Sequence, residues 1–167
     1  MRLATLVLTV AVPIVGFACD CARVPSMEFA MDASDLIVHA LVIHADHQKA
    51  LDQDRDYLDS LGRTEQRTRF GPVHVNEYVL VVMRSFKGAL QGDTLTLRTG
   101  LDPVTDCGLL LSEGTEIVLY ARTINFGEAF YDPWLGKNGL TTSSCSRTRS
   151  FSRKEVKRLA KKMDRSL

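Results

Sequence analysis

From Asp35 to His44 the chain reads DLIVHALVIH, an apolar run too continuous for a half-exposed edge, and it predicts a buried strand. A second strand is predicted over Val73 to Gly88, alternating in its first half and apolar on both faces in its second. Asp93 to Thr99, DTLTLRT, alternates strictly, and Glu116 to Thr123, EIVLYART, is again continuous. Gly139 to Ser144, GLTTSS, has the weakest pattern and makes a fifth strand.

Two helices flank these strands. Met27, Ala30 and Met31 recur on one side of a short segment after Pro25 and predict a helix that ends before the first strand. Ser152 and Glu155 fit the S-x-x-E capping box, and Val156, Leu159, Ala160 and Met163 follow at i, i+3, i+4 and i+7, so a C-terminal helix is expected over 152–165. Between the first two strands, the charged segment Ala45 to Pro72 far exceeds the usual connection of about 4 to 6 residues. It reads as a long functional or mobile loop with a helical turn near Tyr57. Five short strands with a helix near each end imply a mainly β fold, a small closed or partly open barrel of the oligosaccharide/oligonucleotide-binding (OB) type.

The first eighteen residues change the picture. One positive charge, Arg2, precedes an uncharged run from Leu3 to Phe17, and Gly16 and Ala18 stand where signal peptidase requires small side chains. The run is shorter than the roughly 20 apolar residues of a span and contains Pro13, so 1–18 is expected to be a secretory signal. Cleavage after Ala18 makes Cys19 the first mature residue and leaves one domain, 19–167, secreted or periplasmic. The preceding VGFA lacks the aliphatic residue expected three places before a lipid-bearing cysteine, which disfavours Cys19 as a lipoprotein anchor. No transmembrane span is expected in the mature chain.

Four cysteines, Cys19, Cys21, Cys107 and Cys145, are an even count for an oxidising compartment and allow three pairings. A Cys19 to Cys21 bridge closes a very small ring, so the two are expected to reach separately to Cys107 and Cys145. C-x-C as half of a zinc site lacks a second close pair. His44 and His47 form an H-x-x-H to which His39 or His74 would have to add a ligand; without fixed geometry for a third ligand they read as a solvated loop pair. His39, inside an apolar run, reads as a satisfied barrel residue.

Charge is unevenly placed. Cys19 to Ser144 holds 18 acidic and 11 basic residues, whereas Cys145 to Leu167 holds 2 acidic and 9 basic. Arg153, Lys154, Lys157, Arg158, Lys161 and Lys162 fall mostly on the polar side of the predicted helix. Nucleic-acid binding is disfavoured, because aromatics are 7% of the chain and the body is acidic. No G-x-S-x-G, H-E-x-x-H or phosphate loop occurs, so neither an enzyme nor a cofactor is expected, and no intrinsic metal.

CDC behind the leader, FAMDASDLIVHALVI, VTDCGLLLSEGTEIVLYAR and NGLTTSSCS follow one another in an order and spacing that is specific as a set. Over most of Cys19 to Ser146 the chain resembles the inhibitory domain of tissue inhibitors of metalloproteinases. It is most similar to short bacterial members of that netrin-like group, which end soon after a segment like TSSCSRT here. The resemblance implies a five-stranded barrel with Cys19 bridged to Cys107 and Cys21 bridged to Cys145. It also implies a metalloprotease inhibitor in which Cys19, Asp20 and Cys21 form the inhibitory tip. The freed Cys19 amine and the Cys19 carbonyl would close a chelate ring on the protease's zinc and displace its nucleophilic water.

Asp20 departs from the family, where the residue after the first cysteine is small and projects toward the specificity pocket. A carboxylate buried there without a partner costs several kcal/mol, so Asp20 argues against tight inhibition of animal-type matrix proteases unless the target presents Arg or Lys there. Ala22 and Arg23 come before the proline that the animal proteins reach sooner, and a third disulfide and a second domain are absent. The competing expectation is a non-inhibitory envelope-associated module that binds anionic envelope material through the barrel surface, the long loop or the basic C-terminal helix.

Overall fold

The computed structural model describes residues 24–51, 73–89, 91–103, 107–124 and 139–164. The leader, the Cys19-Asp20-Cys21 triplet, Ala22, Arg23 and residues 52–72 of the long loop, with Tyr57, lie outside the described residues.

Helix α1 (Met27–Ala33) starts at Ser26, whose hydroxyl accepts from the Phe29 N–H at 3.2 Å, and it buries Met27 and Ala30. Six strands follow among the described residues: β1 (Leu36–Leu51), β2 (Val73–Lys87), β3 (Thr94–Thr99), β4 (Glu116–Ile124), β5 (Gly139–Thr141) and β6 (Arg149–Ser150). Helix α2 (Arg153–Met163) comes last. The strands form one sheet in the order β1-β2-β3-β5-β4-β6. Because β1 also pairs antiparallel with β4, from Leu36↔Ala121 to Leu41↔Glu116, the first five strands close into a ring. Neighbours in the ring are antiparallel except β3 and β5, which run parallel at Leu97↔Leu140 and Arg98↔Thr141.

The ring interior takes alternate residues of each strand: Leu36, Val38, Ala40 and Val42 from β1, Tyr78, Leu80 and Val82 from β2, Leu97 from β3, and Ile117, Leu119 and Ala121 from β4. The opposite faces of β1 and β4 are covered as well. Ile37, Val118 and Tyr120 pack against Met27 and Ala30 of α1 and Leu159 of α2. Burial on both faces explains why these two strands read as unbroken apolar runs, as the sequence led us to expect.

Several boundaries differ from expectation. β1 does not stop at His44 but continues to Leu51, so residues 45–51 of the predicted loop are strand. Beyond Leu41 the strand has left β4 and pairs with β2 alone, down to Leu51↔Val73. Register shifts at Val42/His44 and Asp46/Lys49, with Gln48 at φ 62°, break the alternation that would have marked it in the sequence. β5 is shorter than expected and β6, only two residues long, was not expected at all. It pairs with β4 at Ile117↔Ser150 and Val118↔Arg149, an edge contact too short to leave a pattern.

The capping box on α2 is half made. The Ser152 hydroxyl accepts from the Glu155 N–H at 3.5 Å, but the Glu155 carboxylate turns inward to arginines and a tyrosine instead of back to the cap. No helix among the described residues is long and apolar enough to cross a membrane.

Candidate functional site: the two-cysteine corner

Cys107 and Cys145 lie on separate segments, each anchored by buried polar groups. The segment bearing Cys107 is tied down by β2 and β3. Asn76, 1% exposed, donates through Nδ2 to the carbonyls of Gly100 (3.0 Å), Leu101 (3.1 Å) and Leu109 (3.3 Å). The Tyr78 hydroxyl donates to the Leu109 carbonyl at 2.6 Å and accepts from the Leu111 N–H at 3.2 Å. Cys107 itself sits at φ 56°, a left-handed conformation that costs a non-glycine residue roughly 1 to 3 kcal/mol and persists only where the surroundings enforce it. The next residue must be glycine, because a Cβ on Gly108 would stand 2.2 Å from the Gly100 carbonyl oxygen.

The segment bearing Cys145 is held against β4. The Thr142 hydroxyl donates to the Tyr120 carbonyl at 2.7 Å, and the Thr148 hydroxyl accepts from the Tyr120 N–H at 2.9 Å. Arg147 lies between these anchors and the helices. Its Nε and Nη2 donate to the two Glu155 oxygens at 2.5 and 3.0 Å, while Nη1 donates to the Pro25 carbonyl at 2.8 Å. Tyr120 adds a hydroxyl donor to Glu155 at 2.8 Å, and Arg149 an ion pair at 3.1 Å. Burial pushes the Glu155 carboxyl up, and the bonds from Arg147 and Tyr120 with the arginine charges outweigh it, so the carboxyl sits below its ordinary range. Burial first, and then the bond to Glu155, push the Tyr120 phenol well above its ordinary range.

The two segments meet where the Ser144 N–H donates to the Cys107 carbonyl at 2.8 Å. This brings the two sulfurs to 4.0 Å, about twice a disulfide bond length, so Cys107 and Cys145 are not bonded to each other. A cavity of about 280 Å³ opens beside Cys145, lined among others by Pro25, Phe29, Tyr120, Thr142 and Arg147. Pro25, where the described chain begins to pack, therefore lies at the same corner as Cys145.

The predicted inhibitory residues Cys19, Asp20 and Cys21 lie outside the described residues. The histidines do not converge. His44 and His47 are on β1, not in a loop: His44 Nδ1 is 2.9 Å from Glu113, and the His47 ring packs edge-on against Tyr78 at 5.7 Å. His39 stacks on Phe151 with centroids 4.3 Å apart and reaches Glu116 at 2.8 Å, on the outer face of the ring. Among the described residues no group of three metal-ligating side chains comes together.

Sequence reasoning missed Asn76, Arg147 and Glu155 as positioning residues. Asn76 left a signal, an amide inside the β-branched and apolar run VHVNEYVL, where asparagine is disfavoured unless bonded. Arg147 left no signal among the many basic residues of the tail, and Glu155 read as the second residue of a capping box. No family model and no curated protein matches the chain. The fold thus defines a mainly β protein, a five-stranded ring with two helices on its outer face and two adjacent cysteine sulfurs at one corner.

Proposed function

We propose that the chain is an exported inhibitor of a zinc metalloendopeptidase, similar to the tissue inhibitors of metalloproteinases, with the five-stranded ring as an OB-type barrel. The observation that carries the reading is the pair of sulfurs of Cys107 and Cys145, 4.0 Å apart and not bonded to each other. A C-x-C triplet can be clamped only if its two cysteines find two acceptors side by side. Cys21 is four residues before Pro25, a reach of at most about 14 Å, and Arg147 holds the Pro25 carbonyl at the corner that carries Cys145.

In this reading Cys19 bridges to Cys107 and Cys21 to Cys145, and the triplet becomes a rigid tip. The rigid tip docks with little loss of conformational entropy. The Cys19 amine, with an ordinary pKa near 7.7 to 8.0, loses its proton at small cost near neutral pH. Amine and carbonyl then occupy the open zinc position, and no scissile bond is offered to the enzyme. Asp20 selects a protease with a basic residue in its specificity pocket.

The test is inhibition of a panel of zinc endopeptidases by the mature chain, by Cys19→Ser and by a form with one alanine added before Cys19. Inhibition is expected only from the unmodified chain. Equal inhibition by the extended form would refute zinc capping, since its amine no longer lies beside the Cys19 carbonyl.

A further inference from the structure

Helix α2 divides cleanly. Leu159 is buried, Val156 is half-buried and packs against the cluster that holds Leu159, and Ala160 and Met163 are half-buried. Arg153, Lys154, Lys157, Arg158 and Lys161 are all exposed on the other side. The remaining described cations of the tail are engaged: Arg147 and Arg149 with Glu155, and Lys162 with Glu28. Among the described residues, the five exposed ones have no acidic partner.

Their spacing forms two rows, Arg153-Lys157-Lys161 and Lys154-Arg158, each step rising about 6 Å along the helix and the whole spanning about 12 Å. Between the rows runs a shallow furrow of about 430 Å³, lined by these five side chains. A furrow flanked lengthwise by cations fits a linear anion better than a plane. None of the five is aromatic, so the face offers no stacking platform for bases. None of the large exposed hydrophobic side chains, Val24, Phe29, Ile43, Met83 and Leu110, lies on α2, so the face has no apolar wedge for a bilayer. The acidic body, 18 acidic against 11 basic residues over 19–144, repels polyanions elsewhere and steers them to this face.

We infer that the exposed face of α2 is a binding site for a linear anionic polysaccharide, laid along the helix between the two rows of cations. The site is independent of the zinc-capping tip and needs no protease. Recognition is by charge spacing alone, so binding is salt-sensitive and tolerant of sugar sequence.

The experiment measures binding of the folded mature chain to heparin and to polygalacturonate, one sulfated and one carboxylated, by salt elution and titration. The variant Lys157→Gln/Arg158→Gln/Lys161→Gln is compared with Arg84→Gln/Arg122→Gln, which removes two exposed charges elsewhere. The helix triple is expected to bind about tenfold more weakly, and the control within about twofold of the parent. All binding should vanish at about 1 M salt, where the screening length is about 3 Å. Circular dichroism should be unchanged, since the three substituted side chains are exposed and none carries an ion pair among the described residues. The inference is overturned if neither polysaccharide is retained at about 0.1 M salt, or if the triple binds like the parent. It is equally overturned if phosphatidylglycerol vesicles or a single-stranded oligonucleotide bind as tightly as the polysaccharides.

Discussion

Replacing Glu155 by Gln perturbs one atom and removes one charge from a side chain only 5% exposed. In the parent, the carboxylate accepts two bonds from Arg147, one from Tyr120 and an ion pair from Arg149. Glutamine keeps one acceptor oxygen but turns an NH₂ toward a cation, and it leaves the Arg147 guanidinium, 12% exposed, without a counter-charge. Breaking a buried ion pair costs about 3 to 5 kcal/mol. Arg149, 44% exposed, adds no more than about 1 kcal/mol. We expect a loss of about 3 to 4 kcal/mol near neutral pH, a drop in Tm of about 10 °C for a chain of this size.

The assay is urea unfolding across acid pH. Because the Glu155 carboxyl lies below its ordinary 4.5 in the folded protein, its contribution is fully present above that value and is lost as pH falls through the folded pKa. Glutamine does not titrate, so the gap between parent and variant should close toward acid. Glu77, whose burial is outweighed by Lys49 and Arg98, and the exposed Glu28 and Glu113 are also lowered, and they titrate alike in both proteins. A loss under about 1 kcal/mol at neutral pH, or a gap that stays constant into acid, would refute the reasoning.

Two more substitutions test the scaffold. Asn76→Ala removes the donor to the Gly100, Leu101 and Leu109 carbonyls and should cost about 2 kcal/mol, with faster amide hydrogen exchange across 107–111 and little change elsewhere. Gly88 has φ 80° and its Cβ would stand 2.4 Å from the Asp35 carbonyl oxygen, whereas Gly92, at φ 88°, faces open space. Gly88→Ala should therefore lose about 2 to 4 kcal/mol and Gly92→Ala only about 1 kcal/mol in denaturant titrations, and equal losses would contradict the clash.

Much of this architecture is readable in one dimension because burial on two faces leaves a signal no other arrangement does. Apart from His39, Leu36–Val42 and Ile117–Ala121 are apolar at successive positions because the ring takes one face and the helices the other. The amphipathic period of α2 and the Ser152 cap are equally local. Where β1 loses its second neighbour the signal fades, since residues 45–51 need satisfy only β2 and are interrupted by bulges. The S-x-x-E spelling misled at its second residue, because a capping carboxylate and a buried counter-ion look identical in sequence. Only the packing of α2 on β4 aims Glu155 at Arg147.

The sequence by itself determined the centres of five strands and of both helices, which of them lie deep, and that the tail is basic while the body is acidic, since these are matters of composition and period. The tertiary structure alone decided the closing of the ring through β1 and β4, the anchoring of two loops by Asn76 and Arg147, and the approach of Cys107 to Cys145. It also decided which cations of the tail are engaged and which five lie free along one face of α2. These depend on contacts between residues tens of positions apart, and such contacts leave no periodic trace in the chain that makes them.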